Sequence, residues 1–127
     1  MTQQDKELLL QDLSARLPYG VKVDVNFYDA TKELSCDLLK DFIIDEKSIR
    51  PYLRPMSSMT EEEKVELRKS AIAISYNYKD EIIGLQHNTF EQMNVCCNWL
   101  NSHHFDYRGL IEKGLALEAK EDMYNLK

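Results

Sequence analysis

Ile49-Arg50-Pro51-Tyr52-Leu53-Arg54-Pro55-Met56-Ser57-Ser58-Met59-Thr60-Glu61-Glu62-Glu63-Lys64 lies close to the midpoint of the 127-residue chain. The character of the sequence changes across it. Before it, apolar residues alternate as in strands; after it, a charged helical pattern begins. Pro51 and Pro55 each fix φ and bias the preceding residue towards extended backbone, so the stretch reads as a semi-rigid joint. Thr60 reads as an N-cap, with Glu63 three residues on completing a capping box. Glu61, Glu62 and Glu63 place negative charge where a helix dipole favours it.

Working back from the joint, residues 3–17 read as an amphipathic helix with Leu10, Leu13 and Leu17 recurring at i, i+3, i+7. Asp5, Lys6, Glu7, Asp12 and Arg16 read as its polar face. Thr2 is a cap, and Pro18 stops the helix before the turn Pro18-Tyr19-Gly20. Val21, Val23, Val25 and Phe27 then alternate with Lys22, Asp24, Asn26 and Tyr28, the cleanest strand pattern in the chain. After a loop over 29–32, Leu34, Cys36 and Leu38 alternate as a second strand, paired antiparallel with the first. Phe42-Ile43-Ile44 reads as a third.

Working forward, the helix that Thr60 opens reaches at least Ser70. Residues 72–86 fit either its continuation or a hairpin, and the reading adopted ends the helix near Ala73. Thr89 with Gln92 opens another capped helix, whose buried stripe is Phe90, Met93, Cys97 and Leu100, with Trp99 on its shoulder. The run from Phe105 to Leu117 holds Phe105, Tyr107, Leu110, Ile111, Leu115 and Leu117, too many apolar side chains for a free tail. It is expected to dock on the rest, with Gly109 and Gly114 supplying bends. The expected fold is α+β in one domain: an N-terminal helix, a small antiparallel sheet, the Pro-rich joint, and C-terminal helices packed on the sheet.

Composition bounds the function. Hydrophobic residues make up 43% and charged residues 30% of the chain, as in ordinary globular proteins. The net charge of −6 divides into −2 over residues 1–59 (eight basic, ten acidic) and −4 over residues 60–127 (eight basic, twelve acidic). Nucleic-acid binders usually carry a basic footprint, so nucleic acid is an unfavoured partner. No apolar run is long enough to cross a membrane. The amino terminus lacks the layout of a signal peptide, and Cys36, Cys96 and Cys97 do not form a disulfide framework. A cytoplasmic protein with reduced thiols is expected.

Three constellations carry possible chemistry. Cys96 with His103, and Cys97 with His104, share a helix face at a spacing of seven, and zinc accepts both ligand types. Vicinal cysteines diverge by about 100° on a helix, however, so no metal and no cofactor are expected. Cys97, His104 and Asp106 are the right types for nucleophilic catalysis, but no family signature surrounds them. Asp106 and Arg108 are explained more simply by an ion pair or by turn bonds from the carboxylate. The third is the Arg50, Tyr52, Arg54 strip, which could hold a phosphate or stack on a base; its rival is a packed Tyr52 with arginines paired to nearby acids. With Tyr107 and Arg108, these are the candidate binding residues.

Leu13 to Val25, Pro51 to Lys64, and Trp99-Leu100-Asn101 through His103–Ile111 to Gly114–Ala119 resemble a group of small uncharacterised proteins. These are encoded by gut anaerobes of the Bacteroides type, often in prophage or mobile-element surroundings. The resemblance covers about half the chain and carries no activity or cofactor. The function expected is a non-enzymatic accessory or protein-interaction module of such an element, with an unidentified protein partner. The alternative is a nucleic-acid-associated module using Arg50, Tyr52 and Arg54.

Overall fold

The computed structural model describes residues 1–26, 31–45, 47–75 and 90–124. Helix α1 spans Gln3–Arg16, and the expected cap is present: Thr2 accepts from the Asp5 backbone N–H while the Asp5 carboxylate accepts from Thr2 N–H. A single 3-10 turn, Leu17–Tyr19, carries the chain over Pro18 to Gly20, which adopts φ +69. A side chain there would be strained in its own backbone and would meet the Glu33 carboxylate at 3.4 Å.

Strand β1, Lys22–Val25, pairs antiparallel with β2, Thr31–Glu33. The second strand thus lies earlier than expected. Leu34 closes the hairpin by donating its N–H to Val21 O, and Ser35 then caps α2, Cys36–Ile43, by accepting from Leu38 N–H. Leu34, Cys36, Leu38 and Phe42-Ile43-Ile44 are therefore not two strands. Leu38 and Phe42, four apart, are the buried residues of one helical face, whereas Cys36, Ile43 and Ile44 are exposed.

The third strand, β3, is Ile49–Leu53, inside the stretch read as a joint. It pairs antiparallel with β1, placing Ile49 opposite Val25, Arg50 opposite Asp24 and Pro51 opposite Val23. Asn26 N–H donates to Ser48 O, so by the two-residue alternation of an antiparallel ladder Pro51 sits at a position whose nitrogen is turned away from β1. A proline there costs the β1–β3 ladder nothing. Pro55 and the 3-10 turn Met56–Ser58 end the strand, and Thr60 with Glu63 forms the expected capping box of α3, Glu61–Ser75.

Helix α4, Phe90–Ser102, packs beside α3, tied by a bond from Trp99 Nε1 to Glu66 Oε1. The expected Thr89 cap, and the hairpin alternative beyond residue 75, lie outside the described residues. Strand β4, Leu117–Glu118, pairs parallel with β3, so the sheet order is β2-β1-β3-β4 and the sheet is mixed, not purely antiparallel.

Side chains of β1 and β3 alternate between two unlike faces. Val21, Val23, Val25, Ile49 and Leu53 join Leu9 and Leu13 of α1, Leu34, Leu38 and Phe42, and Leu110, Leu115 and Ala116 of the carboxyl-terminal run in one core. Trp99, Leu100 and Phe105 form a second cluster with Met59, Leu67 and Tyr107 packed on it. The carboxyl-terminal run is therefore integral to both. Its bends fall as expected, at φ +73 for Gly109 and +74 for Gly114. The molecule is α+β.

Candidate functional site

The Arg50-Tyr52-Arg54 strip lies on the sheet face opposite the valines. Each member is engaged by the protein itself. Arg50 donates to the Asp24 carboxylate at 2.9 Å, across the strand pair. Tyr52 is buried, with the Lys120 ammonium 5.9 Å from its ring. Arg54 forms a two-pronged pair with Glu63, at 2.8 and 2.7 Å, and its guanidinium lies 4.1 Å from the Phe105 ring centre. The Arg54 guanidinium, helped by the Thr60 N–H, holds the Glu63 carboxyl down at about 2. The capping glutamate therefore also binds the end of β3 to the start of α3.

Tyr107 and Arg108 belong to a different arrangement. Asp12 and Arg16, expected on the wet face of α1, are completely buried. Arg16 Nε donates to Asp12 Oδ2 at 2.8 Å and its Nη2 to Phe105 O at 2.7 Å. Arg108 Nη1 donates to the other carboxylate oxygen of Asp12 at 2.6 Å. The Tyr107 ring lies 4.6 Å from the Arg108 guanidinium and 5.5 Å from that of Arg16. Its hydroxyl donates to Asn101 Oδ1, and burial raises its pKa. Asp106 does not pair with Arg108; its carboxylate accepts from the Leu110 and Ile111 N–H groups, the turn bonds that were one of the two expectations.

The cysteines and histidines sit in surroundings of their own. Cys97, expected in the buried stripe of α4, is half-buried, as is Cys96, whose thiol pKa burial raises. Among the α4 side chains described, Trp99, Leu100 and Asn101 are the buried ones. The His103 ring stacks on Trp99 at 3.9 Å, while His104, at φ +64, turns inward and stacks on Tyr124 at 3.7 Å.

A groove of about 530 Å³ opens between the first turn of α3 and the segment 118–124. Arg54 and Pro55 lie at one side, and Glu62, Glu118, Glu121 and Asp122 give the rim its charge. With Arg54 neutralised by Glu63, Lys120 is the remaining cation of the lining, so the groove is acidic. Of the five sequence candidates only Arg54 lines it. In the sequence Glu62 stood out only as a first-turn acid of a helix, and Glu118, Glu121 and Asp122 only as part of the more negative second half. Their convergence requires β4 to lie beside β3.

Tyr124 also lines the groove. Its hydroxyl accepts from Lys22 N–H at 2.7 Å and donates to Tyr52 O at 2.8 Å. By the ladder alternation Lys22 and Tyr52 are the next pair due to bond directly. The hydroxyl stands between them instead, and burial pushes its pKa well above the ordinary tyrosine value. Comparison of the chain with protein-family models, curated proteins and solved structures finds no match to any of them.

Proposed function

We propose that the chain is a non-enzymatic accessory module of a phage-like or mobile element that works by binding a protein partner. The observation that carries this over nucleic-acid binding is the internal use of the arginine strip. Arg50 is committed to Asp24 and Arg54 to Glu63, and Tyr52 is buried too deeply to stack on a base. A phosphate backbone would have to displace those carboxylates and approach a rim of Glu62, Glu118, Glu121 and Asp122. A basic protein segment meets no such barrier. The resemblance of the carboxyl-terminal run to mobile-element proteins supports the setting, and the groove supports the contact surface.

Amide chemical shifts of the labelled protein test this. An eight-residue peptide rich in lysine and arginine should shift the amides of Glu62, Glu118, Glu121 and Asp122 in a salt-sensitive manner. A single-stranded oligonucleotide should leave those of Arg50, Tyr52 and Arg54 in place. Saturable oligonucleotide binding through the strip would overturn the reading in favour of a nucleic-acid module. Peptide titration without localised shifts would remove the groove as the contact surface.

A further inference from the structure

We propose that Lys120–Tyr124 is a proton-operated latch: protonation of His104 releases Tyr124 from between β1 and β3 and dismantles one wall of the acidic groove. Leu117 and Glu118 pair with β3, and Ala119 N–H donates to Leu53 O. Beyond them a turn closed by Met123 N–H on Lys120 O carries the chain to Tyr124. Lys22 holds this end, its Nζ donating to Met123 O at 2.8 Å and its N–H to the Tyr124 hydroxyl. The Tyr124 ring is seated on His104.

His104 is 4% exposed and poorly placed to accept a charge. The Arg54 N–H bonds its carbonyl, which fixes the residue against β3. Its Nδ1 is buried and faces no hydrogen-bond partner among the described residues. A protonated imidazole needs acceptors for two N–H groups, so the added proton would leave at least one buried donor unsatisfied.

The charged groups around the ring add to this. Arg16 of α1, Lys22 of β1 and Arg54 of β3 repel a positive ring, as does His103 beside it when charged. The nearby carboxylates are already used, Asp12 by Arg16 and Arg108 and Glu63 by Arg54. Contact with the Tyr124 face is one favourable term against three permanent cations. Burial first, and then these cations, lower the His104 pKa from 6.5 to about 4.

The sign follows from linkage. The closed latch disfavours the proton and the open one does not, so closure is fully favoured above pH 6.5. It weakens as pH falls towards 4. If the open form restores the ordinary histidine value, the closed-to-open ratio drops by about 80-fold between pH 6.5 and 4, towards an overall limit of about 300-fold at lower pH.

Hydrogen exchange and proton NMR of the full chain between pH 7 and 4 test the latch without any ligand. The Lys22 amide, corrected for its intrinsic exchange rate, should lose protection as the Tyr124 ring resonances lose their stacking shift. The Leu34 amide, bonded to Val21 O in the hairpin, should stay protected. Loss of Leu34 protection at the same pH would mean that the whole sheet opens, and would overturn the latch. So would a His104 ring that titrates near 6.5 with Tyr124 still stacked. The His104→Asn chain removes the proton site with a residue that tolerates positive φ. Whatever its Lys22 protection at pH 7, no further fall should follow down to pH 4. A fall as steep as in the unaltered chain would assign the opening to another group and overturn the proposal.

Discussion

Asp12 is held by two arginines and has no access to water. A buried ion pair of this kind contributes little net stability against an apolar replacement, but breaking it leaves a charge with no partner. Asp12→Ala should therefore cost about 3–5 kcal/mol in urea denaturation, because Arg16 stays buried. Replacing the pair together, Asp12→Leu with Arg16→Met, should cost less than Asp12→Ala alone. An equal or larger loss from the double change would show that the bond from Arg16 to Phe105 O, not the ion pair, carries the contribution. Nothing local distinguishes Asp12 from the exposed polar residues of α1. The leucine periodicity located the helix, but not which flank of the stripe was buried.

Among the elements, capping was legible and strand assignment was not. Thr2 with Asp5, and Thr60 with Glu63, are satisfied within four residues, so their chemistry is written in adjacent sequence. Ser35 makes the same kind of bond at α2, yet Leu34, Cys36 and Leu38 fit a period of two as well as Leu38 and Phe42 fit a period of four. A segment this short does not separate the two patterns. Pro51 misled in the opposite direction, since its compatibility with an inner strand depends on which way its nitrogen faces. The Arg54–Glu63 pair then yields a prediction at this scale. Its contribution is fully present above pH 4.5 and is lost as pH falls towards 2, where Glu63 takes its proton. Glu63→Gln should lower stability at pH 7 by about 1–2 kcal/mol after allowance for solvent screening, and the difference from the unaltered chain should vanish near pH 2. A difference that persists unchanged at pH 2 would place the effect in the capping bond instead.

In the whole molecule the carboxyl-terminal run closes the fold. Phe105 and Leu110 are completely buried and Leu115 is 5% exposed. Burying three such side chains contributes about 5–9 kcal/mol, comparable with the entire stability of a domain. Removing everything after Ser102 should abolish cooperative melting followed by circular dichroism. A truncated chain that melts within a few degrees of the full one would mean that docking is dispensable. That the run must dock was legible, because its apolar content is a local property. So were α1 and α3 with their caps at Thr2 and Thr60, the first strand, the bends at Gly109 and Gly114, and the α+β class. Only the tertiary structure decided that residues 49–53 are an inner strand, that Asp12 and Arg16 are buried, and that Tyr124 enters the ladder. Each of these depends on a partner far away in the chain, 96 residues for Arg108 on Asp12 and 102 for Tyr124 on Lys22. A charge or a hydroxyl carries no mark of burial in its own sequence. Its environment is set by whichever distant group removes the water and replaces its hydrogen bonds.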